Sequence, residues 1–144
     1  MPASTQTVEI DAPIAQVWAT ILDFPSYPRF LPDMGGAEVR RAGPPEWEVA
    51  FELHLLRDLR YTLRLHTPAP WTLRWSLLEG AFLRNEGGWA LEALSPTRTR
   101  ATYEIDVQVA MYIPGNVVRT LVERSLPETL DRFRAEAERR AAAG

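Results

Sequence analysis

The sequence contains no cysteine and no lysine, and it has only two histidines among 144 residues. Without cysteine the chain has no disulfide, no thiolate nucleophile and no cysteine-ligated metal centre. Without lysine it lacks Schiff-base chemistry and the lysine of a phosphate-binding loop. His54 and His66 are separated by a spacing that matches no common zinc motif. We therefore expect no metal site and no cofactor.

Charge and hydropathy exclude further classes of protein. Sixteen arginines against 19 acidic residues give a net charge of -3, which disfavours binding to the phosphates of nucleic acid. No segment approaches the ~18 apolar residues of a membrane-spanning helix. The first twenty residues lack the basic and apolar regions of a secretory signal. We expect a single cytoplasmic domain over residues 1–144, without stable membrane insertion, while transient membrane contact and the oligomeric state stay open.

The first quarter of the chain predicts a strand followed by helical structure. Residues 5–11 alternate polar and apolar side chains, as in a half-buried strand. After Pro13, apolar residues recur with helical spacing over residues 14–22. Three prolines within residues 23–32 exclude a long helix there but permit a single turn.

The middle of the chain predicts a series of strands joined by short turns. The predicted strands cover residues 38–41, 47–55, 59–66, 71–77, 80–94 and 101–111. Apolar side chains occupy one parity and charged side chains, with both histidines, occupy the other. The pair Gly87 and Gly88 indicates either a break in a strand or a bulge. Together these strands predict an antiparallel sheet with one buried face and one solvent-exposed face.

The last part of the chain predicts a long amphipathic helix over residues 116–142, with an apolar stripe that includes Leu130, Phe133 and Ala137. Pro127 lies within this helix and follows Ser125 and Leu126. A proline in a helix interior removes a hydrogen bond, so the helix either kinks or breaks near residue 126.

These elements predict an α+β fold of two layers. One helix is roughly 10–12 Å across, whereas seven strands at about 4.8 Å spacing are much wider. The sheet must then curl around the helix or leave apolar surface uncovered. Because the apolar parity carries many aromatic side chains, a curled sheet of this kind can enclose a ligand cavity.

Two segments carry a resemblance to a known family. Residues 17–32 read V-W-A-T-I-L-D-F-P-S-Y-P-R-F-L-P, which is similar to a helix followed by Asp-x-x-x-Tyr-Pro-x-Phe-x-Pro. Residues 77–82 and 88–91 are similar to a strand pair with the motifs Gly-x-Phe and Trp-x-Phe/Leu. The chain resembles the polyketide cyclase/dehydrase and lipid-transport branch of the START-related, Bet v 1-like (SRPBCC) superfamily, near the coenzyme Q-binding proteins.

The resemblance implies a helix-grip fold. In such a fold a curved seven-stranded antiparallel sheet wraps around a long C-terminal helix, with two short helices between strands 1 and 2. A deep apolar pocket then lies between the sheet and the long helix.

The predicted pocket is lined by inward-facing side chains of the sheet and of the long helix, with a lid from the proline-rich segment. The predicted lid residues are Phe30 and Leu31. The predicted lining residues are Phe51, Leu53, Tyr61, Leu63, Trp75, Leu77, Trp89 and Tyr103 from the sheet, with Val118, Leu121, Val122 and Ser125 from the helix.

The favoured function is binding or transport of a hydrophobic small molecule, such as a lipid, an isoprenoid quinone or a polyketide-like aromatic. An alternative is a cyclase, aromatase or dehydratase, which needs an acid or base inside the hollow. The polar side chains considered for that role are Tyr61, Tyr103, Glu79 and Asn85, and no catalytic residue is assigned.

A further alternative is a ribosome-associated or stress-type module that binds another protein. Its predicted anchors are Tyr27 and Phe30, taken as exposed aromatic side chains on the proline-rich segment.

Overall fold

The protein was analysed as a computed structural model, which describes residues 4–43, 45–54, 58–109, 114–116 and 126–143. Its strands are β1 (Ser4–Ile10), β2 (Met34–Gly43), β3 (Glu46–His54), β4 (Asp58–Ala69), β5 (Thr72–Gly80), β6 (Phe82–Ser95) and β7 (Arg98–Val109). Its helices are α1 (Ile14–Leu22), a 3-10 turn (Phe24–Ser26), α2 (Tyr27–Phe30) and α3 (Leu126–Ala143).

The seven strands form one curved antiparallel sheet in the order β1-β7-β6-β5-β4-β3-β2. Strands that follow one another from β2 to β7 are neighbours, and at most three residues separate one from the next along the chain. The first two strands lie at opposite edges of the sheet, and α1, the 3-10 turn and α2 connect them. This arrangement confirms the predicted α+β helix-grip architecture with short helices between strands 1 and 2.

Helix α1 begins directly after Pro13, whose fixed φ suits the start of a helix. It buries Val17, Thr20 and Ile21, which recur on one face. The Thr20 hydroxyl donates to the Gln16 carbonyl at 2.8 Å, so this buried polar group has a partner. The helix therefore offers an apolar face to the sheet.

The alternation in the sequence matches the two faces of the sheet. In β3 and β4, the inward side chains of Val49, Leu63 and Leu65 are at most 6% exposed. Arg60, which has the opposite parity, is exposed and lies 3.4 Å from Glu52 on the neighbouring strand. We call the apolar side the inner face and the charged side the outer face.

The structure corrects the prediction for Trp71, which was placed in a strand on the inner face. Trp71 lies in the turn before β5 with a φ of 59°, and it is 37% exposed. Its ring packs edge-on against Trp18 of α1, with centroids 5.9 Å apart. The backbone turns here because Pro68 and Pro70 end the regular pairing of β4.

Strand β6 is continuous through Gly87 and Gly88, so the glycines do not break it. A Cβ atom at Gly88 would lie 2.3 Å from the Leu73 carbonyl oxygen. A Cβ atom at Gly87 would lie 2.7 Å from Cζ2 of Trp75. The glycines therefore allow close approach of β5 and of an indole ring to β6.

Helix α3 buries the predicted apolar stripe, including Leu130, Phe133 and Ala137. The predicted beginning of this helix and its kink or break fall on or beside residues 117–125, which lie outside the described residues. Among the helices that the structure describes, none has the length and apolar character needed to cross a bilayer.

Candidate ligand-binding site

The described pocket candidates share the inner side of the molecule. Those on the sheet have inward parity, and the two lid candidates lie on α2 and directly after it. All of them belong to, or pack against, one apolar core. The helix candidates Val118, Leu121, Val122 and Ser125 lie outside the described residues.

The inner face differs between its two ends. At the end next to α1, Ile10, Leu65, Leu73 and Ala101 are at most 2% exposed, and we call this the α1 end. The opposite end lies where β3 ends at His54 and β4 begins at Asp58, and we call it the hairpin end. Leu53 at the hairpin end, Leu77 on β5 and Ile105 on β7 also face inward but are only partly buried, whereas Leu59, which pairs with Leu53, is 3% exposed.

Phe133 of α3 joins the lid segment to the sheet. Its ring lies 5.2 Å from the ring of Phe30 and 5.1 Å from that of Trp89. Leu31 is 8% exposed, so both lid candidates are packed. The helical spacing predicts that Phe133 lies on the apolar stripe, but it does not assign this residue to the site. The structure shows that it connects the helix layer with the aromatic side chains of the sheet.

The structure overturns the expectation that Tyr27 is an exposed anchor for a partner protein. Tyr27 is 8% exposed, and its hydroxyl donates to the Ile21 carbonyl at 2.5 Å. Burial raises the pKa of Tyr27 well above its ordinary value. Phe30 is partly buried as well, because it packs edge-on against Phe133. These aromatic rings hold the lid segment onto α3.

Polar side chains also reach the inner face. Burial raises the pKa of both Tyr61 and Tyr103, so their hydroxyls are protonated at neutral pH. Asn85 is 5% exposed, and its Oδ1 accepts a hydrogen bond from Nε1 of Trp75 at 3.1 Å. Glu79, which was considered as an interior acid, is instead exposed. A register shift in the pairing of β4 with β5 moves it to the outer face.

The histidines lie on the outer face, as their parity predicts. Nδ1 of His54 lies 2.5 Å from a carboxylate oxygen of Asp58, and this hydrogen bond raises the pKa of His54. Glu52 lies beside this pair. One atom that could ligate a metal from each of Glu52, His54 and Asp58 lies within 4.8 Å of the other two. Glu52 also pairs with Arg60, so the group forms a surface network of ion pairs.

A charged cluster ties α3 to the segment between β1 and β2. The carboxylate of Glu136 is 5% exposed and pairs with Arg29, Arg139 and Arg140, each at 2.7 Å. Hydrogen bonds from Arg139, then from Arg29 and Arg140, hold the pKa of Glu136 well below its ordinary value, although burial acts in the opposite direction. Arg140 also reaches Asp23 at the end of α1. The cluster was not predicted, because nothing in the sequence distinguishes Glu136 from the many other charged residues of α3.

An open groove of about 520 Å³ lies on the outer face across β2 to β5. Side chains of outward parity, including Glu38, Arg40, Arg60 and Glu79, form most of its lining. The charges make this groove unlike the apolar inner face, and it is not the pocket that the sequence predicts.

A family model described as "Polyketide cyclase / dehydrase and lipid transport" matches residues 10–134. The chain belongs to this family. The match begins at the end of β1 and runs into α3, so it includes the inner face and the lid segment.

Two curated relatives from Escherichia coli match over 109 residues. The "Persistence and stress-resistance toxin PasT" of strain O6:H1 is 25% identical over 75% of this chain and 69% of its own length. The "Ribosome association toxin RatA" of strain K12 is 24% identical over the same shares.

Solved structures share the fold. The Zhui aromatase/cyclase from Streptomyces sp. R1128 has a TM-score of 0.85 at 23% identity, over 99% of this chain and 97% of that chain. A START superfamily protein from Mycobacterium smegmatis has a TM-score of 0.79 at 23% identity, over 98% and 97%. At this level of identity the likeness concerns the fold alone.

Proposed function

We propose that the protein binds a hydrophobic small molecule between the hairpin end of the inner face and the long C-terminal helix. The observation that carries this proposal is the incomplete burial of Leu53, Leu77 and Ile105, whose side chains face inward yet keep accessible surface. Membership of a family whose description includes lipid transport supports the same function.

Desolvation of the ligand provides the binding energy. Burial of about 300 Å² of apolar ligand surface at ~25 cal/mol/Å² contributes roughly 7 kcal/mol before association costs. Micromolar affinity corresponds to about 8 kcal/mol. An apolar pocket of ordinary size therefore needs only a few additional polar contacts.

Two neighbouring leucines of β5 give a matched test. Leu77 faces inward and is partly buried, whereas Leu78 faces outward and is 42% exposed. We expect Leu77→Glu to weaken binding of the fluorophore N-phenyl-1-naphthylamine by more than about tenfold, because the new charge must be desolvated. Leu78→Glu should leave the affinity within about twofold, since its side chain remains in water.

Fluorescence titration of the two variants and the wild-type protein gives the affinities, and circular dichroism checks their folding. Equal affinities for folded Leu77→Glu and wild-type protein would place the fluorophore elsewhere. Failure of the wild-type protein to bind any apolar fluorophore would reject the pocket itself.

A second candidate function is a cyclase, aromatase or dehydratase. The observation in its favour is the presence of two protonated tyrosines, Tyr61 and Tyr103, on the inner face. A neutral phenol can donate a proton or a hydrogen bond to a carbonyl oxygen. Of the other residues considered, Asn85 does not titrate and Glu79 is exposed. This leaves the described inner face with weak acids and without a carboxylate base, which favours binding over turnover.

The protein-interaction hypothesis, made from the sequence, is supported by the names of the curated relatives, one of which is a ribosome association toxin. Of its two predicted anchors, Tyr27 is buried and Phe30 is partly buried against the core. Co-sedimentation of the protein with ribosomes distinguishes this function from ligand binding.

A further inference from the structure

Glu52, His54 and Asp58 bring three potential metal ligands together on the outer face at the hairpin end. Glu52 and His54 are two residues apart on β3, so their side chains lie on the same face of the sheet. Asp58 is the register partner of His54 on β4, and residues paired in this way carry their side chains on the same face. The pairing of two strands therefore positions all three side chains.

The atoms of this cluster are close enough to share one ion. Nδ1 of His54 lies 2.5 Å from Oδ1 of Asp58. One potential ligand atom from each of the three residues lies within 4.8 Å of the other two. Ligand atoms of a tetrahedral zinc ion lie about 3.3–3.6 Å apart, because each is roughly 2.0–2.2 Å from the metal. Small movements of the side chains are sufficient to form such a shell.

The imidazole of His54 is held in place by the backbone around it. The His54 N–H donates to the Asp33 carbonyl oxygen at 2.7 Å, which attaches the end of β3 to the residue before β2. The ring packs against Gly35, where a Cβ atom would overlap Nε2. Since Nε2 lies against Gly35, Nδ1 is the nitrogen that faces Asp58. A ligand that is already oriented favours metal binding.

The charges around His54 favour a cation. The carboxylates of Glu52, Asp58 and Asp33 all act electrostatically on the imidazole. Arg60 compensates Glu52 weakly, because the two groups are 3.4 Å apart and the arginine side chain is 81% exposed. Within the described part of the chain, no arginine forms an ion pair with Asp58 or Asp33. A divalent cation neutralises this excess of negative charge.

The ligand atoms select the class of ion. Zn²⁺ accepts imidazole nitrogen and carboxylate oxygen in one tetrahedral shell, whereas Mg²⁺ and Ca²⁺ prefer oxygen ligands. His54 and Asp58 are exposed, and Glu52 also lines the open groove of the outer face. An ion can therefore enter from solvent, and water can occupy the coordination position that the protein does not fill.

We propose that Glu52, His54 and Asp58 bind a divalent transition-metal ion such as Zn²⁺, which links β3 to β4 at the hairpin end. This site is independent of the proposed apolar pocket, because it lies on the opposite face of the sheet. It also revises the expectation of no metal site, which was based on the spacing between His54 and His66. One histidine is sufficient here, since a carboxylate of the same strand and one of the next strand supply the other ligands.

Isothermal titration calorimetry of the metal-free full chain with zinc chloride tests this site. We expect His54→Ala and Asp58→Asn each to weaken Zn²⁺ binding at least about tenfold, because loss of a partner outside the ligand shell alone costs roughly 10–100-fold. The wild-type protein should bind Mg²⁺ at least about tenfold more weakly than Zn²⁺, since imidazole is a poor ligand for Mg²⁺.

His66→Ala is the matched control. His66 is also an exposed histidine on the outer face, where it pairs in register with Glu46. Among the described residues it belongs to no group of three potential ligands. Its replacement should leave the Zn²⁺ affinity within about twofold of the wild-type value.

NMR of the imidazole nitrogens in the wild-type protein needs no variant. On addition of Zn²⁺, the Nδ1 signal of His54 should shift to that of a metal-bound nitrogen, whereas the signals of His66 should stay in place. The proposal is overturned if the wild-type protein shows no saturable Zn²⁺ binding or if Nδ1 of His54 does not shift. Equal losses of affinity in folded His54→Ala and His66→Ala would also overturn it. Mg²⁺ binding as tight as that of Zn²⁺ would show a nonspecific attraction to acidic groups instead.

Discussion

At both ends of the inner face the apolar side chains follow the same strand parity, but they are buried to different extents. At the α1 end, Ile10 and Leu73 are 1% exposed, and the nearby Trp71 packs on α1. Leu53 at the hairpin end and Leu77 on β5 keep part of their surface. Where the strands pair regularly, parity thus determines which face a side chain occupies, and the layer packed above it determines how completely the side chain is buried.

Leu73 and Leu77 make this comparison quantitative, because both lie on the inner face of β5. Leu73→Ala should lower the free energy of unfolding by about 3 kcal/mol, since it leaves a cavity in a fully buried region. Leu77→Ala should lower it by about 1 kcal/mol, because part of the side chain is already accessible. Urea denaturation of the two variants measures both values. Equal losses would show that Leu77 is ordinary core.

The charged cluster at Glu136 provides a second test, because it attaches α3 to α1 and α2. Glu136→Gln should lower the free energy of unfolding by about 2 kcal/mol at pH 7, less than for a fully buried pair because Arg29 and Arg139 are more than half exposed. Thermal and urea denaturation of the variant and the wild-type protein measure this loss.

The pH dependence of that loss has a definite sign. The pKa of Glu136 is lowered on folding, so its contribution is present above its ordinary value of 4.5. The contribution disappears as the pH falls from there towards the lowered pKa of the folded state. The stability difference between wild type and Glu136→Gln should therefore be constant near neutral pH and shrink in acid. A difference that grows in acid would contradict the ion-pair account.

The smallest expected effect is at the outer surface of the hairpin end. His54 pairs with Asp58, and its side chain is 46% exposed. Because its pKa is raised on folding, the pair stabilises the protein below the ordinary value of 6.5, and this stabilisation is lost as the pH rises through the folded pKa. His54→Ala should lower the melting temperature slightly at pH 5.5 and less at pH 8.5. A larger effect at pH 8.5 would exclude the ion pair as its cause.

Much of the fold follows from patterns in the sequence. The alternation in residues 47–54 and 59–66 and the helical spacing in residues 14–22 are local signals, and the structure confirms both. Trp71 was wrongly placed because its parity continues that of Leu73, although two prolines precede it and the backbone turns. Tyr27 was wrongly placed because a proline-rich segment gives no sign of which aromatic rings it buries.

The site is less predictable, because its chemistry depends on contacts between distant strands. Parity placed Tyr61 and Tyr103 on the inner face, but only the register shows that Trp75 reaches Asn85 across β5 and β6. Glu79 lies on the outer face instead of the inner face because of a register shift between β4 and β5, which is not visible in the sequence. The role of each pocket residue stays a prediction until a ligand is bound.

Methyl NMR with labelled leucine tests the central claim most directly, because leucines occur at both ends of the inner face. On titration with N-phenyl-1-naphthylamine, the methyl signals of Leu53 and Leu77 should shift, whereas those of Leu65 and Leu73 should stay in place. Shifts confined to Leu65 and Leu73, or to the exposed Leu78 on the outer face, would contradict a ligand pocket at the hairpin end.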